Sequence, residues 1–346
     1  MRYLLLFLFV TVANAGFKLE TVAPGVIASI RTEPPGIMFE ANVVFIVNDE
    51  DVVVVDANGT PTAAKESIAA LRSITTKPVR YLVNTHWHTD HVTGNATWRE
   101  AYPGLEIVAH ATARADMAGT GEANRKSYLE AAPVLARRLR NMLEVRKNFA
   151  GESMTDEEVA GFTSDAELIE RFATEAPGTP MVLPTLGIEE RMTLTRGART
   201  IDIRHLGPGH SRADLIVHLP VEGIVISGDL IVSPVPLVGS TSLPSQYAAT
   251  LEKLIALRPK AIVPGHGPVL TDDRQPKLMV RMLESITKQV AAAVARGESL
   301  EQTRKSVDLA EFQRAFAGDS AQKAFIFKSY VAGPAVAAAY DQARTK

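Results

Sequence analysis

The stretch NTHWHTDH, residues 84–91, places His86, His88, Asp90 and His91 within six positions of a chain that has eight histidines in all. Near neutral pH, imidazole is both a proton carrier and the commonest metal ligand, and a carboxylate beside it is a hard anionic ligand. Crowding the two points to a cation site. The stretch continues directly from VRYLVNT (79–85), a run that reads as a β-strand. The cluster therefore sits at the carboxyl end of a strand, where layered α/β folds place their chemistry. A polar loop that merely collects histidines, or a structural metal clip, is the competing reading, and the rest of the chain has to decide between them.

Working outward, NVVFIV (42–47) and DVVVVDA (51–57) are β-branched runs separated by NDE, which predicts a hairpin. TPTAAKESIAALRSI (60–74) has a capping Thr60, Pro61 in its first turn and Ile68, Leu71 and Ile74 at helical spacing, which predicts a helix. EIVAH (106–110) is another short strand. From 111 to about 180 strand-like runs give way to Ala, Arg, Glu and Leu, with breaks expected at Gly119, Gly121, Pro133 and Gly151. This reads as a helical insertion covering one side of the core. Strands resume with RMTLTRG (191–197), RTIDIRHL (199–206), DLIVHLP (214–220) and GIVISGDL (223–230). A helix near 245–257 then leads to the strand KAIVPGH (260–266), and the tail from 273 to 346 is largely helical.

The 346 residues, 46% of them hydrophobic, are enough for a substantial core. A formal charge of −2 with no long basic run argues against nucleic-acid partners and leaves a small-molecule substrate as the expected one; the oligomeric state is left open. The absence of cysteine excludes disulfides, thiolate zinc sites and iron–sulfur clusters, so any metal must be held by nitrogen and oxygen. The N-terminal MRYLLLFLFVTVANAGF combines Arg2, an apolar run from Leu4 to Val12, and small residues at Ala13 and Ala15. That pattern predicts a signal peptide over 1–15, cleaved after Ala15, because the apolar run is too short to span a bilayer; an uncleaved anchor is the alternative. The expected location is periplasmic or secreted, without stable membrane anchoring after cleavage.

Three later sites repeat the grammar of the first. HLGPGHSRAD (205–214) sets His210 in a Gly/Pro loop after a strand, IVISGDL (224–230) brings a strand to Asp229, and AIVPGHGP (261–268) ends a strand at His266. This order, beginning with His-x-His-x-Asp-His, resembles the metallo-β-lactamase superfamily of hydrolases over roughly 20–110 and 185–270. The resemblance implies an α/β fold, an αββα sandwich of two packed mixed β-sheets flanked by helices, spanning 16–272. The insertion at about 111–180 and the helical C-terminal extension at 273–346 depart from its minimal core. It also implies two Zn2+ ions, with Fe or Mn as alternatives. His86, His88 and His210 would hold the first, Asp90, His91 and His266 the second, and Asp229 would bridge them. The chemistry implied is attack by a metal-bridging hydroxide on a carbonyl-type substrate, a β-lactam, lactone, thioester or related ester, with Asp90 and Asp229 as catalytic carboxylates. Asp229 in the bridging position is more similar to the thioesterase and lactonase branches than to the classical β-lactamases. An iron-dependent oxidoreductase and a non-catalytic metal-binding protein are the competing functions.

Around this set, Asp56 is expected to orient a ligand imidazole, Ser211 to hydrogen-bond a ligand, and Gly59, Gly94, Gly209 and Gly265 to allow close backbone approach. His110, His205 and His218 lack a matching motif and are expected to pack or face solvent. Trp87 either walls the pocket or packs beneath the loop.

Overall fold

The computed structural model describes residues 16–345, so the expected signal peptide lies outside the described residues. Among those residues, twelve strands form two mixed sheets. The first sheet runs β1 (Phe17–Ala23), β2 (Val26–Arg31), β3 (Val43–Val47), β4 (Val52–Val55), β5 (Val79–Val83), β6 (Glu106–His110) and β7 (Leu186–Ile188). It is antiparallel up to β4 and parallel from there on. In the second, β8 (Arg191–Arg196), β9 (Arg199–Arg204), β10 (Ile216–Leu219) and β11 (Ile224–Val232) are antiparallel, and β12 (Ala261–His266) joins β11 in parallel.

The sheets pack through one apolar layer. Ala28, Val44, Val53 and Val83 of the first meet Ile201, Val217, Ile226 and Val263 of the second, all buried. Because strand side chains alternate, the opposite faces need their own cover. On the first sheet α1 (Pro61–Ile74) and α3 (Asn95–Ala101) supply Ile68, Leu71 and Trp98 against Phe45, Leu82 and Ile107. On the second, α7 (Pro244–Ala256) and α8 (Arg274–Ala295) supply Tyr247, Leu251, Met279 and Leu283 against Ile216, Val225 and Ile262. The αββα sandwich is thus the fold, with the helical C-terminal extension present and packed on its second sheet.

Several features depart from the sequence reading. Gly119 and Gly121 do not break the insertion's first helix, because Ala113–Asp116, the π-helical Met117–Gly121 and Glu122–Val145 follow one another without a gap. Pro133 lies inside α5 (Glu122–Val145) and does not break it; α5 and α6 (Asp156–Glu175) form a hairpin with its own core of Leu139, Phe162 and Ile169. Asp229 is not at a strand end, since β11 continues to Val232. Gly228, at φ 51°, breaks the pairing register with β12, and this bulge turns the Asp229 carboxylate out of the ladder.

Candidate metal centre

The centre is assembled where strand ends of both sheets meet. β5 delivers His86 and His88, and the single turn α2 (Thr89–Val92) carries Asp90 and His91. His210 comes from the loop between β9 and β10, Asp229 from the β11 bulge and His266 from the end of β12. All seven predicted residues come together, in two groups that could each hold a metal ion: His86, His88, His210 and Asp229, and Asp90, His91, Asp229 and His266. Within a group the ligand atoms lie within 4.8 Å of one another.

Asp229 belongs to both groups and divides its oxygens between them. Its Oδ2 is 3.5 Å from His210 Nε2 and 3.9 Å from His86 Nε2, while its Oδ1 is 3.2 Å from His91 Nε2 and 3.3 Å from His266 Nε2. His88 Nδ1 lies 2.8 Å from His210 Nε2, and Asp90 Oδ2 lies 3.1 Å from His266 Nε2 and 3.3 Å from His91 Nε2. Gly265 allows the close approach of β12 to this carboxylate, because a methyl group there would overlap Asp229 Oδ1.

Each imidazole is tied from behind by its other nitrogen. His91 Nδ1 donates to Asp56 Oδ2 at 2.8 Å, as the sequence reading expected, and Asp56 also accepts from Thr85 N at 2.8 Å. His266 Nδ1 donates to the Glu40 carbonyl at 3.0 Å and His210 Nδ1 to the Leu237 carbonyl at 3.2 Å. His88 Nε2 pairs with Thr241 Oγ1 at 3.1 Å and His86 Nδ1 with Thr85 Oγ1 at 3.2 Å. Such ties set tautomer and ring direction, leaving the other nitrogen free to coordinate. Glu40, Leu237 and Thr241 were missed in the sequence, since two of them act through carbonyls that every residue owns. Ser211 does not reach a ligand; its hydroxyl donates to Asp214 Oδ1 at 2.6 Å, and burial pushes the Asp214 carboxyl up to about 7.

Electrostatics agree with a cation-binding role. Burial, helped by neighbouring histidines, drives His86 well below the ordinary imidazole range and His88 to about 3, so both are neutral and able to coordinate. Burial alone would raise Asp90 and Asp229, yet the charges of His91 and His266 hold both carboxyls well below the usual range. Burial works against charging His266, but Asp229 outweighs it and lifts the group to about 9. Protons on His91 and His266 thus occupy the place of positive charge that a metal takes over when it binds. His86 Nε2 and Asp229 Oδ1 are buried without a hydrogen-bond partner. Orphaned buried groups of this kind cost about 1–3 kcal/mol, and coordination removes the deficit. The donor set of imidazole nitrogen and carboxylate oxygen fits zinc, iron or manganese.

Trp87 packs beneath the loop with Val92, Met117 and Ala213, its ring 4.5 Å from that of His88, and also lines a shallow cavity with Thr241 and Arg212. The rings of His110 and His205 lie 4.4 Å apart, tilted by 45°, and His218 sits on β10; none joins either ligand group. A mainly apolar cavity of about 280 Å³, lined by Ile30, Pro34, Phe39, Val235 and Ile326, reaches His266.

Residues 37–266 match the family described as Metallo-beta-lactamase superfamily. The linear primary-alkylsulfatase of Pseudomonas sp. (strain ATCC 19151) is 22% identical over 240 residues, 67% of this chain and 42% of that protein, so the chain spans less than half of that relative's length. Among solved structures, a stereoselective inverting sec-alkylsulfatase from Pseudomonas sp. has a TM-score of 0.65 at 14% identity, covering 94% of this chain and 50% of that one. A metallo-β-lactamase from Erythrobacter litoralis has a TM-score of 0.52 at 16% identity, covering 79% and 99%. At these identities the structural likeness establishes the fold.

Proposed function

The chain belongs to the metallo-beta-lactamase superfamily, and from that premise we propose that it is a dinuclear zinc-dependent hydrolase of carbonyl-type substrates. The observation that carries the reading is the divided Asp229 carboxylate, with Oδ1 3.2 Å from His91 Nε2 and Oδ2 3.5 Å from His210 Nε2, the geometry of a bridging ligand. When bound, a pair of divalent cations supplies Lewis acidity toward the scissile group and acidifies water near neutral pH. The chain's own residues do the rest. The Asp90 side chain is 24% exposed while that of Asp229 is 2% exposed, which supports Asp90 as the carboxylate that would orient an attacking water. Asp56, Glu40, Leu237 and Thr241 hold the imidazoles in the required orientation, which keeps reorganisation small.

The substrate reading covers carboxylic esters, thioesters, lactones and β-lactams. A sulfate ester of an aliphatic alcohol is the second reading, favoured by the apolar cavity reaching His266 and by the alkylsulfatase relative. A periplasmic or secreted location, from the N-terminal leader, is part of the same proposal. The test is a panel of carboxylic ester, thioester, lactone, β-lactam, alkyl sulfate and phosphoester substrates, assayed on protein loaded with defined zinc or iron, beside a His88→Ala control. Turnover of one class, abolished in the control, supports the reading. Full turnover by His88→Ala, or none in any class by protein carrying two ions, overturns it.

A further inference from the structure

The ties behind the histidines come largely from two loops that are far apart in sequence. The segment 32–42, between β2 and β3, backs His266 through the Glu40 carbonyl. The segment 233–243, between β11 and α7, backs His210 through the Leu237 carbonyl and His88 through Thr241. One loop thus supports one ligand group and the other loop supports the second. Any drift of the loops relative to each other changes the spacing of the two groups.

Among the described residues, Tyr330 of the C-terminal extension hydrogen-bonds to both loops. Tyr330 lies in a one-turn π-helical segment, Lys328–Ala332, joining the helix Ala321–Phe327 to the helix Pro334–Arg344. π-turns inside helices are frequent at functional sites. Its carbonyl accepts from Val238 N at 3.0 Å, one residue from Leu237, and its hydroxyl donates to the Ile37 carbonyl, three residues from Glu40. Its ring lies 5.8 Å from that of Phe39, which in turn lies 4.2 Å from the His266 ring. Other contacts hold the first loop without reaching the second: Gln322 Nε2 donates to the Pro35 carbonyl at 3.0 Å, Met38 N donates to Asp165 Oδ1 at 2.8 Å, and the Glu40 carboxylate accepts from Gly59 N and Thr60 Oγ1 at 2.6 Å each.

We propose that Tyr330 is a positioning residue that clamps the two histidine-backing loops to each other, so that the C-terminal extension sets the spacing of the two metal-binding groups. This rests on the dinuclear reading. Residues that orient ligands from behind typically change metal affinity or activity about 10–100-fold when removed, and Tyr330 acts one step further out.

The test uses the full chain and three variants. Tyr330→Phe removes only the hydroxyl donor to Ile37, Tyr330→Ala also removes the ring against Phe39, and Gln322→Ala cuts a loop contact that does not span the two groups. Each is stripped of metal, checked for folding by circular dichroism, and titrated with Co2+, following stoichiometry, affinity and the visible spectrum; kcat and KM are then measured on the zinc-loaded forms. For Tyr330→Ala the expected result is about tenfold or greater weakening of one of the two ions, an altered cobalt spectrum, and a fall in kcat larger than the change in KM. Tyr330→Phe is expected to lose a few-fold in that affinity and Gln322→Ala to match the parent. A folded Tyr330→Ala with parental affinities and spectrum overturns the inference alone. Should the alanine variant fail to fold, parental behaviour of Tyr330→Phe overturns it instead. A parent chain that takes up fewer than two ions overturns the dinuclear reading and this inference with it.

Discussion

Asp56 carries more hydrogen bonds than its place at the end of a four-valine strand suggests. It sits at φ 62°, in the left-handed region that disfavours residues other than glycine, and accepts from His91 Nδ1, Thr85 N and Thr85 Oγ1. Strain at such a position persists where the surroundings over-determine it. Asp56→Asn keeps the size but offers one acceptor oxygen instead of two, so metal affinity is expected to fall about 10–100-fold, read by competition with a chromogenic chelator. Asp165 presents a different balance. Burial raises its carboxyl to about 6 although the backbone N–H groups of Ile37 and Met38 favour its charge, and its Oδ2 has no partner. A folded-state value above the unfolded one means that the native chain binds the proton more tightly, so this group's contribution becomes less favourable as pH rises from about 4 through 6. The shift from 3.8 to about 6 corresponds to roughly 3 kcal/mol at most. Asp165→Asn is therefore expected to raise stability at pH 7 by about 1–3 kcal/mol and to leave it little changed at pH 4, as measured by urea unfolding. A variant profile parallel to that of the parent would refute this assignment.

At the scale of the elements, the ligand groups depend on where strands stop or bulge. β5 ends at Val83, the chain bends at Thr85 and His86, and His88, extended at ψ 150°, is the residue that precedes α2. The β11 bulge was hidden because Gly-Asp within an apolar run reads as a strand terminus, while parallel pairing with β12 carries the strand past it. α5 shows the opposite kind of override. Pro133 has no N–H to give the Leu129 carbonyl and is exposed, so it costs helix stability; packing of Ala132, Ala136 and Leu139 against α6 outweighs the loss. Pro133→Ala is expected to stabilise the chain by about 1–3 kcal/mol in chemical denaturation, without affecting metal uptake.

The molecule as a whole is a sandwich whose helical additions share its core. Met279, Leu283, Ile286, Phe312 and Phe327 of the C-terminal extension pack into the same cluster as Val225 and Ile262 of the second sheet. Gln322 and Tyr330 also reach the loop that backs His266. Removing residues 274–346 would expose that apolar face, and burial of side chains this size contributes about 1.5–3 kcal/mol each. The truncated chain is expected to be insoluble or to bind the hydrophobic dye ANS; a soluble, cooperatively melting truncation would show that the sandwich stands without its extension.

The candidate ligand residues and the layered α/β architecture were legible in the amino-acid order alone. His-x-His-x-Asp-His is a local pattern whose spacing acts through a few bonds of backbone, and the β-branched runs leading to Asp229 and His266 declare their strands through side-chain shape. The β1–β2 hairpin and short β7 escaped notice because their pairing is settled by neighbouring strands more than by their own composition. What backs the histidines emerges from the packing of distant segments. Glu40 and Leu237 act through carbonyls, and Tyr330 reaches across 293 positions to Ile37, contacts that leave no mark in composition or spacing because they exist only once distant segments are packed together.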